Sequence, residues 1–192
     1  MSGSEERGRV RVFLTGFMGS GKSSIGPILA NMLGYRFLDT DREIEARDGR
    51  SVTLIFREEG EERFRAMERA MVRELCALRN VVVALGGGTL MDAENAALLH
   101  QSGVIVYLRA SSEQLFRRLQ SKGDRPVLLD EEGERLPPER LRERIEQLVR
   151  EREPHYRRAH VVIATDGTRI GLTVDALARK LRPLLAPPDA LS

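Results

Sequence analysis

Val10-Arg11-Val12-Phe13-Leu14-Thr15 runs straight into Gly16-Phe17-Met18-Gly19-Ser20-Gly21-Lys22-Ser23, and a helical pattern follows over 24–33. The first run is β-branched and apolar, as a buried strand requires. The last carries Ile25, Ile28, Leu29, Met32 and Leu33 at helical spacing. The stretch between them is a complete G-x-x-x-x-G-K-[ST] phosphate-binding loop. Gly16, Gly19 and Gly21 let the backbone turn sharply and aim successive N–H groups at an anion. The helix that follows adds its positive end to the same phosphates. Lys22 is placed to reach the β- and γ-phosphates, and the Ser23 hydroxyl to ligate Mg²⁺. Strand, loop and helix in register separate this from a chance glycine-rich turn. The chain is expected to bind a nucleoside triphosphate; the loop does not name the acceptor.

Outward from the loop, apolar strand candidates recur at 10–15, 35–38, 81–85, 104–108 and 161–164. Helical patterns separate them, which predicts βα units and a parallel sheet covered on both faces. Ser51 is a candidate N-cap before a helix over 52–59, and an amphipathic pattern continues over 62–78. Ser111 and Gln114 have capping-box spacing before a helix ending near Gln120. From 121 to 138 the pattern gives way to Gly, Pro and acidic residues, a surface loop of unusual length. A charged helix over 139–153 buries Leu141, Ile145 and Leu148, and the 172–185 segment is helical. Pro27 falls about one turn into the phosphate-loop helix, where a local kink is expected.

With 192 residues the chain is expected to form one domain with polar or frayed tails at 1–9 and 186–192, burying roughly 70% of its unfolded surface. The 31 Lys and Arg nearly balance the 29 Asp and Glu, and there is no Trp. That argues against nucleic-acid binding, which favours a basic stripe interleaved with aromatics. The single cysteine, Cys76, excludes an internal disulfide and reads as a packed thiol. No apolar run approaches membrane-spanning length and 1–9 has no signal-peptide character, so a cytoplasmic protein without membrane contact is expected.

The acceptor chemistry is read from three places. Phe37-Leu38-Asp39-Thr40-Asp41 closes the second strand, and ligands bind beyond the carboxyl ends of parallel strands. Two carboxylates beside a triphosphate suit a metal ligand and a group that orients or deprotonates a hydroxyl. Asp41 has a competing reading as the N-cap of a helix over 42–48. Gly86-Gly87-Gly88 closes the third strand, either to admit a ligand and offer it N–H donors or as a flexible turn. Arg65, Arg117-Arg118, Arg125 and Arg157-Arg158 fall where loops or helix ends reach the same edge, and guanidinium suits planar carboxylates and phosphates. Each alone reads as a surface charge.

The phosphate loop, Asp39-Thr40-Asp41, Phe64-Arg65-x-x-Glu68, Gly86-Gly87-Gly88, Arg125-Pro126 and Tyr156-Arg157 occur in the order and spacing of shikimate kinases. The resemblance runs from about 11 to 185. It implies an α/β P-loop NTPase fold of the nucleoside-monophosphate-kinase-like type, a five-stranded parallel sheet in order 2-3-1-4-5 with helices on both faces. It further implies ATP- and Mg²⁺-dependent phosphorylation of the shikimate 3-hydroxyl, in aromatic amino-acid biosynthesis, by an enzyme expected to act as a monomer. By matching position, Lys22, Asp41 and Arg125 are the catalytic residues. Gly19, Ser20, Gly21, Lys22, Ser23, Ser24, Arg118 and Arg125 meet the nucleotide. Asp41, Arg65, Gly86, Gly87, Gly88 and Arg157 meet shikimate, its carboxylate gripped by the two arginines, and Ser23 and Asp39 serve the metal. The region 121–138 becomes a mobile lid carrying Arg125. Its acidic stretch Asp130-Glu131-Glu132-Gly133-Glu134 departs from the family pattern, as does Pro27, and those carboxylates are expected to face solvent. Two rival readings are a kinase of another small hydroxy acid such as gluconate, and a nucleotide-binding regulator without catalysis. The latter is expected to lack one of Lys22, Asp41 or Arg125, and all three are present.

Overall fold

The computed structural model describes residues 11–120, 128–130 and 133–185. Its strands are β1 (Arg11–Thr15), β2 (Arg36–Asp39), β3 (Val81–Ala84), β4 (Val104–Arg109) and β5 (Val161–Ala164). They form one parallel sheet in the expected order β2-β3-β1-β4-β5. The helices are α1 (Lys22–Leu33), α2 (Thr40–Asp48), α3 (Val52–Leu75), α4 (Ala93–Ser102), α5 (Ser112–Leu119), α6 (Pro138–Tyr156) and α7 (Ile170–Leu185).

The period-two alternation of the strands sorts their side chains into two cores. Val12, Leu14, Val82, Val106 and Leu108 pack against Ile25 and Leu29 of α1 and Val174, Leu177 and Leu181 of α7. Phe13, Val81, Val83, Ile105 and Tyr107 face the other way, onto α2, α3 and α4. A third cluster joins Phe17 of the phosphate loop to Leu115 and Leu119 of α5 and Leu141, Ile145 and Leu148 of α6. Cys76 packs half-buried against the second of these cores, where burial pushes its thiol up. Among the described residues no helix is long and apolar enough to cross a membrane.

The predicted caps form. The Ser51 hydroxyl accepts from Leu54 N–H at 3.2 Å and Ser111 from Gln114 N–H at 3.3 Å. Helix α1 runs on through Pro27, which stands on its exposed side; the carbonyl it crowds belongs to Ser23, also exposed. The helices expected over 52–59 and 62–78 form as the two arms of α3, separated by a kink at Gly60, whose φ 82° and ψ 173° are not helical. Side chains other than hydrogen rarely adopt that conformation, although a Cβ there would meet nothing within 4 Å. Gly60→Ala is therefore expected to cost about 1–3 kcal/mol through backbone strain alone, read as a lower midpoint in urea unfolding.

The lid expectation needs correction at its C-terminal end. Leu128 is 2% exposed and joins the Phe17 cluster. The chain then doubles back through a Leu129–Arg135 bridge, with Leu136 N–H donating to Leu128 O at 3.1 Å. Leu128 thus gives a buried apolar contact to a segment whose composition reads as a surface loop. Asp130 and Glu134 do face solvent; Arg125, Glu131 and Glu132 lie outside the described residues, as do both tails.

Far from the loop edge, His100 of α4 packs against His160, ring centroids 5.2 Å apart and planes tilted by 56°. Burial, reinforced by His160 and Arg158, holds His100 below the ordinary histidine value. The folded chain therefore takes up that proton less readily than the unfolded one. Stability is expected to be full above about pH 6.5 and to fall as pH drops through it. His100→Gln should flatten that part of a pH series of unfolding midpoints.

Candidate active site

Strand order 2-3-1 sets the carboxyl ends of β2, β3 and β1 side by side, so the three sequence motifs emerge next to one another. After β1 the chain turns through Gly16, Gly19 and Gly21 at φ 139°, 79° and 106°. The Lys22 ammonium folds over this loop, donating to Gly16 O at 2.7 Å and Phe17 O at 3.2 Å. The Ser20 hydroxyl is buried in the loop with no hydrogen-bond partner among the described residues. A buried orphan hydroxyl beside a positive charge and a helix N-terminus is a setting that fits a phosphate.

Asp39 ends β2 and caps α2, its Oδ1 accepting from Asp41 N–H at 3.2 Å and Arg42 N–H at 3.4 Å. The capping role considered for Asp41 therefore belongs to Asp39, because α2 starts at Thr40, two residues before the stretch over 42–48. The Asp39 Oδ2 accepts from the Ser23 hydroxyl at 3.0 Å. Asp41 sits in the first turn of α2. It lines a cavity of about 400 Å³ together with Gly19, Lys22, Ser23, Asp39 and Gly87. Ser24 and Arg118 line it too. Arg118 spans two loops there, donating to Gly19 O at 2.9 Å and Thr165 O at 3.0 Å. Thr165 and Thr168, which line the same cavity, carried no signal in the sequence.

A second cavity of about 400 Å³ is lined by Glu61, Arg65, Gly88, Met91, Asp92, Glu151 and Arg152. Arg65 is fixed on two sides. Its Nη1 donates to Glu68 Oε2 at 2.8 Å, and Nε and Nη2 reach Glu61 Oε1 at 3.1 and 2.9 Å. Burial pulls this guanidinium down, but the two carboxylates more than offset it and hold it above the ordinary arginine value. Glu68 is 1% exposed and takes a further bond from the Thr89 hydroxyl at 2.6 Å. The sequence quoted Glu68 in a motif without a role; its role is to hold Arg65.

The glycine triplet is the wall between the two cavities. Gly86 N–H donates to the Thr40 hydroxyl at 2.9 Å, tying the turn to α2. A Cβ on Gly86 would lie 2.8 Å from Glu68 Oε1 and 3.0 Å from Asp41 Oδ1; one on Gly88 would lie 2.7 Å from Arg65 Nη1 and Nη2. Glycine is needed here so that charged side chains can close on the backbone. Among the described residues no protein acceptor takes the N–H of Gly87 or Gly88.

One expected substrate residue is misplaced. Arg157 is 61% exposed, pairs with Glu153 at 3.0 Å, and lines neither cavity. The α6 arginine that reaches the second cavity is Arg152, with its Nη1 3.5 Å from Gly87 O and its guanidinium 5.7 Å from the Phe17 ring centroid. The signal was in the pattern: the buried stripe Leu141, Ile145, Leu148 continues at helical spacing to Arg152 and Tyr156, and Arg157 falls off it. Arg117 is likewise an exposed partner of Glu113, at 3.1 Å.

The shikimate kinase family model matches residues 18–182. Shikimate kinase from Chlorobium phaeobacteroides strain BS1 is 48% identical over 170 residues, 88% of this chain and 85% of that protein. Among solved structures, shikimate kinase from Acinetobacter baumannii in complex with shikimate superposes with a TM-score of 0.82 at 33% identity, covering 96% of this chain and 100% of that one. The Bacteroides thetaiotaomicron shikimate kinase gives 0.82 at 34% identity, covering 90% and 98%. A gluconokinase from Sinorhizobium meliloti, at 19% identity and a TM-score of 0.58 with 93% and 95% covered, shares the fold alone. The two cavities, their shared glycine wall and these likenesses agree: the chain belongs to the shikimate kinase family.

Proposed function

We propose that the chain transfers the γ-phosphoryl group of ATP to the 3-hydroxyl of shikimate, giving shikimate 3-phosphate and ADP. The observation that carries this is the juxtaposition of a phosphate-loop cavity and an arginine-lined cavity across one glycine turn, with Asp41 at their boundary. Phosphoryl transfer demands alignment and charge neutralisation more than covalent help from the protein. Lys22 and the loop N–H groups hold the triphosphate. Arg65 and Arg152 hold the acceptor carboxylate as paired planar donors, and Gly87 and Gly88 offer N–H groups to its oxygens. Asp41 accepts the proton of the attacking hydroxyl or orients it. Arg118 holds the nucleotide side of the first cavity, and Arg125 supplies further positive charge to the transferred group.

Ser23 and Asp39 offer a hydroxyl and a carboxylate 3.0 Å apart, hard oxygen donors that suit Mg²⁺, which commonly takes only one or two protein ligands. Held by these two residues, Mg²⁺ would supply positive charge to offset that of the phosphate oxygens. Turnover is expected to collapse on EDTA treatment and to return with added Mg²⁺. The same reading makes the enzyme a monomeric, single-domain cytoplasmic protein, consistent with its one unpaired cysteine.

The test is coupled ADP release with shikimate, quinate, gluconate or no acceptor. Turnover is expected with shikimate and little without an acceptor. Turnover on gluconate and none on shikimate would overturn the reading.

A further inference from the structure

Tyr156 closes α6 one turn beyond Arg152, and none of the roles above uses it. It is 1% exposed, its ring packed on Tyr107 of β4 with centroids 5.2 Å apart. Its hydroxyl donates to the carbonyl oxygen of Gly87. The other group near that oxygen, Arg152 Nη1, stands at 3.5 Å, the outer limit of a hydrogen bond. Burial pushes the Tyr156 phenol up to about 12, so it stays protonated and a donor across the physiological range. The Gly87 carbonyl is thus held chiefly by one buried hydroxyl, itself anchored on the central sheet.

That carbonyl belongs to a peptide with two further neighbours. A Cβ on Gly87 would lie 3.8 Å from both Gly16 O and Met18 N, so this residue rests on the phosphate loop. Gly88, the other half of the peptide, rests on the Arg65 guanidinium. No peptide bond here is cis, and in a trans peptide C=O and N–H point in opposite directions. Fixing the Gly87 carbonyl on Tyr156 therefore fixes the Gly88 N–H on the opposite side, and with it the gap between phosphate loop and acceptor clamp.

We propose that Tyr156 is a positioning residue for phosphoryl transfer, its hydroxyl holding the Gly87–Gly88 peptide that spaces the donor phosphates from the acceptor. The proposal rests on the shikimate kinase reading. Tyr156→Phe removes one oxygen and keeps the ring on Tyr107. It is expected to lower kcat/KM for shikimate about 10- to 100-fold, the scale set by small misplacements of reacting groups, while the KM for ATP changes by no more than about twofold. Tyr107→Phe, which trims the neighbouring ring, should leave both constants within about twofold. A Tyr156→Phe enzyme that melts earlier but keeps its kcat/KM would show a merely structural hydroxyl and overturn the proposal. Equal losses in the two variants would overturn it as well. In the intact protein, ¹⁵N-glycine spectra of the nucleotide complex should show the Gly87 and Gly88 amides shifting as shikimate is added. Unshifted amides at saturating shikimate would overturn it independently of any variant. Wild-type turnover separates the two readings: without turnover on shikimate the functional reading fails, and with it a normal Tyr156→Phe enzyme sinks only this proposal.

Discussion

Asp41→Asn is expected to bind ATP normally and to lose about 10²-fold or more in kcat, the range general-base removal produces. The substitution is nearly isosteric, so the contact with Gly86 is kept. It does not touch the cap of α2, because Asp39 makes those bonds. A large kcat loss in a well-folded variant therefore reports chemistry at the hydroxyl and not a frayed helix. The measurement is steady-state kcat beside nucleotide affinity by titration. Near-normal kcat would reduce Asp41 to a residue that orients the acceptor without taking its proton. Asp39→Asn is the informative contrast. It perturbs both the helix cap and the Ser23 contact, so nucleotide binding and stability should suffer together.

What the sequence made legible was local. The phosphate loop, the five strands and the caps at Ser51 and Ser111 depend on residues within a turn or two of one another, and each formed within a residue or so of its expected place. The acceptor side is made by contacts across the chain. Arg152 and Tyr156 meet Gly87 over separations of 65 and 69 residues, and no spacing rule reports such a meeting. Asp39 and Asp41 show how little a boundary error must be to matter. Starting α2 two residues earlier moves the cap from Asp41 to Asp39. Composition marks the segment beyond 121 as a long surface loop and gives no sign that Leu128 is buried or that Leu129 and Arg135 form a short antiparallel bridge.

The arginine exchange gives the second large effect. Arg152→Ala is expected to raise the KM for shikimate by about 10- to 150-fold, which is the loss of roughly 1.5–3 kcal/mol for a charged hydrogen bond. The KM for ATP should change little, because Arg152 lines the acceptor cavity and not the phosphate one. Arg157→Ala, five residues on, should stay within about twofold of wild type, as surface substitutions of exposed ion-pair partners do. Arg65→Ala is a poorer probe of the same clamp. It strands Glu68, a buried carboxylate, and breaking such a pair costs about 3–5 kcal/mol in stability on its own. Arg65→Lys keeps a charge beside Glu68 while removing the planar fork, so its KM effect is the cleaner reading of that arm. The methyl ester of shikimate asks the question from the other side. Without a carboxylate it should be phosphorylated poorly by the wild type, and it should lose little more in Arg152→Ala. If the ester is as good a substrate as the acid, or if Arg157→Ala and not Arg152→Ala raises the KM, the clamp is wrongly drawn and α6 meets the substrate by its other face.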